Sequence, residues 1–149
     1  MSYHEKRSVA SIVSTLLVFG TYYAAMIWMY QDGRFEGPDA ASLIGLSILI
    51  LIACAIAFNI VVTILFSIVF AIAEGDSHPS FVVDERDKLI ELKGLRISAY
   101  LVGAGFVLSM AALALGQPVF LVFNFIVSSF AFGDVISNIA KLRMYRRGF

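Results

Sequence analysis

The chain has 149 residues, 60% of them hydrophobic, and a mean hydropathy of +0.87, well above the roughly 45–50% apolar content of soluble domains. Eleven basic and eleven acidic side chains cancel, so no net field draws nucleic acid and no direct nucleic-acid binding is expected; the placement of charge carries the information instead. The single cysteine, Cys54, excludes an intrachain disulfide or a multi-cysteine metal cluster and, inside an apolar run, reads as a small lipid- or helix-facing residue.

Four segments have the length a membrane-spanning helix needs, about 20 apolar residues for a hydrocarbon core of about 30 Å. They lie at about 9–30, 42–73, 97–115 and 119–140 of one membrane domain covering 1–149, with a charged segment at 74–96. Backbone polar groups find no water in lipid, so each reads as helix despite abundant Ile, Val and Phe. The first follows Lys6 and Arg7 in the manner of a signal peptide, but it is longer than the apolar part of one and lacks a clear cleavage site, so a retained helix is expected. Aromatic Tyr22, Tyr23, Trp28 and Tyr30 crowd its outer half as interface anchors.

The second segment is anomalous. Its charge-free run over 40–73 would extend about 50 Å as helix, so it must tilt, bend or protrude. The third and fourth segments are separated only by Gly116-Gln117-Pro118, which forces an antiparallel pair. Ala99 and Gly103, Gly105 and Ser109, and Ala112 and Gly116 give the third helix small-xxx-small spacings for close packing.

Ten of the eleven basic residues fall before the first span, between the second and third, or after the fourth; only Arg34 lies on the other side. By the positive-inside rule both termini and the central loop are cytoplasmic. The fold expected is an all-α membrane protein: a four-transmembrane-helix bundle, N-in and C-in, with a short amphipathic cytoplasmic helix before the third span. In that helix Asp84 is the N-cap candidate, acids precede bases along the dipole, Leu89, Ile90 and Leu92 form an apolar side, and Gly94 permits a bend into the span.

Polar residues inside the spans are the candidate site. Asn124, Ser128, Asp134 and Asn138 share one face of the fourth helix, with Phe120 intruding at its outer end, while Asn59, Thr63 and Ser67 stack at i+4 steps on the second. Asp134 is the one acid within a span, about 10 Å from the cytoplasmic end by helical rise. Counting equal depth elsewhere predicts Ser14, Thr15, Ser67 and Gly103 or Ala104 as neighbours, with Arg96 snorkelling inward. The intramembrane polar set is therefore Asp134, Asn59, Asn124, Ser67 and Thr15. A charge at Asp134 needs pairing, hydration or neutralisation. It reads either as a structural carboxyl pinned by hydroxyls or an arginine, or as a proton- or cation-binding group; its shallow depth and the lack of a second intramembrane acid favour the first.

No phosphate loop, serine elbow or His-rich zinc motif occurs, and no histidine lies within a span, so no catalytic residue, cofactor or metal site is assigned. Glu74, Asp76, His78, Asp84, Glu85 and Asp87 lack a recognisable ligand spacing.

The run Asp84-Glu85-Arg86-Asp87, with Ile90, Lys93 and the third span behind it, resembles the Asp-Glu-Arg-acid signature in the central loop of a family of small bacterial four-helix inner-membrane proteins of uncharacterised function. The resemblance implies a membrane partner or sensor role beside transcriptional regulators and carries over no catalytic residue. The leading expectation is a noncatalytic interaction protein, a sensor or accessory subunit docking a cytoplasmic protein partner through Asp84, Glu85, Arg86 and Asp87. The alternative is a small transporter or channel, a homo-oligomer because four helices enclose little volume, with Asp134, Asn59 and Asn124 lining its path. Membrane lipids are partners in either case.

Overall fold

A computed structural model describes residues 3–74 and 85–147. These form four helices, α1 (Tyr3–Gln31), α2 (Ala40–Glu74), α3 (Glu85–Ala114) and α4 (Val119–Arg147), each long and apolar enough to cross a membrane. The helices have 29, 35, 30 and 29 residues, or about 44–53 Å at 1.5 Å per residue. Overhang beyond about 30 Å of hydrocarbon is thus common to all four, and α2 accommodates its long apolar run as one unbroken helix.

Both short connections lie at one end, called here the turn end, and both chain termini at the other. Each connection opens on a glycine in the left-handed region: Gly33 at φ 72° and Gly116 at φ 74°. In each, the following residue donates back five positions, Arg34 to the Met29 carbonyl at 3.2 Å and Gln117 to the Ala112 carbonyl at 3.0 Å. That pattern closes the orphan carbonyls of α1 and α3, and it needs a residue without a Cβ at the turning point. Pro118, lacking an N–H, then leads into α4.

In space α4 is central. It packs along α3 and α1 and touches α2, α2 leans on α1, and α3 meets no helix other than α4. The core, Tyr22, Met26, Leu51 and Val127, lies toward the turn end with Val18, Phe19 and Ile48 against it. Phe120, the residue that intrudes on the polar face of α4, closes this core: its ring stands 5.0 Å from Tyr30 and 4.8 Å from Phe35. The buried residues of α2, Ile44 and Leu51, are both in its first half. Beyond them α2 is mostly uncovered.

The α3–α4 seam is built from small residues. On α4, Ser129, Gly133 and Ser137 recur every fourth position and are all buried. A Cβ at Gly105 would overlap Ser129, and one at Gly133 would meet Ser98 Oγ at 3.0 Å. Gly105 and Ser109 are therefore the small pair that faces α4. Gly103 has nothing near it, and Ala99 is exposed.

The separate amphipathic helix expected before the third span is absent as a unit, because α3 runs unbroken from Glu85. The helix continues through Gly94, which is buried where the Lys141 side chain crosses α3, with Lys141 Cγ 2.8 Å from where its Cβ would be. Its small size serves close approach. Ile90 is wholly buried, whereas Leu89 and Leu92 are exposed, so the three do not form one apolar side. Asp84, the N-cap candidate, lies outside the described residues.

Candidate polar site

The polar face of α4 meets α1 near the terminal end. Thr15 Oγ1 donates to Asp134 Oδ2 at 2.5 Å. From one turn below, Asn138 Nδ2 donates to Asp134 Oδ1 at 3.1 Å and reaches Ser11 Oγ at 3.2 Å. Among the described residues no lysine or arginine lies within ion-pair distance of Asp134, so neutral donors alone meet its charge. Burying an ionised group on such terms costs free energy unless water or a ligand completes its shell.

The open side of Asp134 supplies that space. A cavity of about 150 Å³ lies there among α1, α2 and α4, with Ser8, Ser11, Ser14, Asn59, Asp134 and Asn138 in its lining. Arg7, Glu91 and Lys141 add charge to the lining, and Ala10, Val62, Thr63 and Phe66 complete it. Lys141 Nζ pairs with Glu91 Oε2 at 2.7 Å, so across the four charged residues two cations balance two acids.

Of the residues singled out in the sequence, Thr15 bonds Asp134, and Asn59 lines the same cavity from α2. Ser67 does not join them, although its neighbour Phe66 lines the cavity; its hydroxyl returns to the Thr63 carbonyl at 2.9 Å. Thr63 likewise bonds its own helix, through the Asn59 carbonyl at 2.8 Å, so the α2 stripe does not hydrogen-bond across the bundle. Arg96 and Gly103 are exposed and line none of this cavity. Asn138 and Ser11 are the partners that equal-depth counting missed, although the i+4 spacing of Asp134 and Asn138 was visible in the sequence.

Asn124 belongs to a second cluster, about 15 Å further along α4. Its side-chain amide donates to the Phe120 carbonyl at 2.8 Å. The Tyr23 hydroxyl meets Ser128 Oγ at 2.5 Å and the Asn124 carbonyl at 3.3 Å. Asn124 Oδ1 and the Tyr22 hydroxyl are buried without a partner among the described residues. Phe19 lies between the two clusters in the register of α1 and packs against the core that holds Val127, so apolar side chains stand on the turn-end side of the Asp134 cavity.

Ion pairs surround the cavity mouth. Glu5, 12% exposed at its side chain, sits 3.6 Å from Arg146 Nε, and the charges of Asp87, Glu91, Arg7 and Arg86 all act on Tyr145. Asp87 is thus engaged within the chain, while Glu85 and Arg86 are exposed.

Thr15→Val, which keeps shape and removes the donor to a part-buried carboxylate, is expected to cost about 1.5–3 kcal/mol. Reversible unfolding in mixed micelles would measure this, and a cost below about 0.5 kcal/mol would mean that the bond contributes nothing net.

Comparison with protein-family models, with curated proteins and with solved structures gives no match. Fold and site define an all-helical protein of membrane-spanning proportions with a polar, acid-bearing cavity at the end where its termini lie.

Proposed function

We propose that the chain is a small transport protein of a bacterial inner membrane, both termini cytoplasmic, in which the Asp134 carboxylate is the cation-binding group, loaded from the cytoplasmic end. The observation that carries this reading is the cavity: an intramembrane carboxylate held by neutral donors and facing open polar space, with Asn59 opposite. A purely structural carboxyl would be closed over by its partners. The ten basic residues gathered at the terminal end support the orientation, and the resemblance at residues 84–87 supports the bacterial setting. Four helices enclose little, and α3 meets only α4, which supports a homo-oligomer as the working unit. Cation uptake into vesicles reconstituted with Asp134→Asn protein tests the reading; uptake equal to that of the unaltered chain would end it.

A second reading, a noncatalytic sensor or accessory subunit that docks a cytoplasmic protein, is favoured by one surface. Glu85, Lys88, Leu89 and Leu92 share a helix face and are all exposed, a mixed charged and apolar strip of the kind partners cover. Crosslinking from position 89 in cells is expected to capture a partner that the Glu85→Ala, Arg86→Ala double variant fails to capture. Equal recovery from both would remove this reading.

A further inference from the structure

Three helices each bring one charged residue to the lining of the Asp134 cavity: Arg7 from α1, Glu91 from α3 and Lys141 from α4. Glu91 is the acid among them. Its Oε2 accepts from Lys141 Nζ at 2.7 Å, with the lysine side chain 15% exposed and the glutamate 51%. A half-exposed pair of this kind adds little to stability, yet α3 is shaped to receive it. Gly94 stands one turn from Glu91 on the same face of α3. A Cβ at Gly94 would overlap Lys141 Cε, lie 2.8 Å from Lys141 Cγ and 3.0 Å from Ser137 Oγ. The lysine stem is drawn across α3 through the space that a side chain at position 94 would fill.

The other direction open to Lys141 is the cavity. It stands seven residues from Asp134, two turns along α4 and on the same side of the helix. Helical side chains lean toward the helix N-terminus, which in α4 is the direction of Asp134. Both residues line the one cavity of about 150 Å³. An ammonium released from Glu91 therefore enters the space that faces the carboxylate.

We propose that Glu91 is a positioning residue for the cation site: by holding Lys141 against α3 it keeps a cation of the chain's own out of the Asp134 cavity, and the pair is the gate at the cavity mouth. The proposal rests on the reading of Asp134 as a cation site and names the regulation of that site. With Glu91 charged, the four ionic residues of the lining cancel. Without that charge, Arg7 and Lys141 face Asp134 with one positive charge in excess, which repels an entering cation and offers the carboxylate a tethered counter-ion. A group tethered at this range acts at an effective concentration on the order of millimolar, so enough added cation outcompetes it. The half-saturating concentration rises and the maximal rate stays. A pair that served only to hold helices together would act in the opposite way, lowering the amount of working protein and hence the maximal rate.

Uptake into vesicles tests the proposal, with sodium, potassium, ammonium and protons offered in turn and the cation that the unaltered chain takes up titrated. Glu91→Gln is expected to raise the half-saturating concentration about tenfold or more at an unchanged maximal rate. The Glu91→Gln, Lys141→Gln double variant, whose lining is again neutral, is expected to return it to the parental value. That rescue also shows that the single variant folds.

An unchanged half-saturating concentration in Glu91→Gln, a loss confined to its maximal rate, or a double variant no better than the single would each overturn the gate. If Asp134→Asn abolishes uptake while Glu91→Gln alters nothing, the gate falls and the cation site stands. If Asp134→Asn takes up all four cations as the unaltered chain does, both fall.

Discussion

Asp134→Asn is expected to lower cation uptake by reconstituted vesicles at least about tenfold, the consequence of losing some 1.4 kcal/mol of cation binding, while leaving the chain folded. The amide keeps the size of the carboxylate and removes its charge. Two opposed effects act on stability. An asparagine amide presents donors where Thr15 and Asn138 already donate, which costs about 1–3 kcal/mol if one pair is broken. Against this, a charge at this depth costs about 2.5–3.5 kcal/mol by insertion scales, and the neutral side chain avoids that. The two nearly cancel, so function and stability separate. Thermal unfolding in detergent checks the second quantity, and vesicle loading checks the first.

Gly105→Ala is expected to destabilise the α3–α4 pair by about 1–3 kcal/mol, although alanine is the better helix former by about 0.8–1.0 kcal/mol. The sterics outweigh the propensity because the added methyl meets atoms with nowhere to go. It overlaps Ser129 Cβ, lies 2.7 Å from Ser129 Oγ and 3.5 Å from Ser129 Cα, and none of these is the far end of a flexible chain. Ser129→Gly should restore much of the loss in the double variant, a coupling of about 0.5–3 kcal/mol. At Gly94 the same change meets mainly the Lys141 stem, which can swing aside at the expense of a Glu91 ion pair worth roughly 0.2–1 kcal/mol. Unfolding by steric trapping in bicelles measures all four chains. A Gly105→Ala protein as stable as the parent would show that propensity wins and that the seam is loose.

The helices and the α3–α4 turn were legible because they follow from lengths of apolar sequence and from a three-residue connection too short for anything but a reversal. Thr15 was legible because equal rise along antiparallel helices brings equal depths together. The same counting named Ser67 and failed, since depth does not say which way a side chain turns: its neighbours Thr63 and Phe66 line the cavity while the Ser67 hydroxyl bonds its own helix. Small-residue spacing showed that α3 would pack closely without saying which stripe would do so. Gly103 and Gly105 look alike in a sequence, and only the matching Ser129-Gly133-Ser137 face of α4 selects between them. That face went unnoticed beside the louder Asn124, Ser128, Asp134 and Asn138. Gly94 shows a related ambiguity: a glycine ahead of a span suggests a bend, and its missing side chain also admits a lysine from the neighbouring helix. The cavity itself is assembled from residues of all four helices, and no local pattern reports such an assembly.

The partners of Asp134 come from opposite ends of the chain, Thr15 being 119 residues away. The α3–α4 seam, by contrast, closes within neighbouring sequence and can assemble early, because short-range contacts form before long-range ones. Docking of α1 onto α4 is then a late event in biogenesis, and until it happens the acid stands in the membrane without its hydroxyl donor. A nascent or mispaired chain is thereby marked by a polar residue facing lipid, a state that favours expulsion of α4 or recognition by membrane quality control. Under the proposed reading, the carboxylate that binds the cation in the finished protein is also the group by which an unfinished chain would be distinguished.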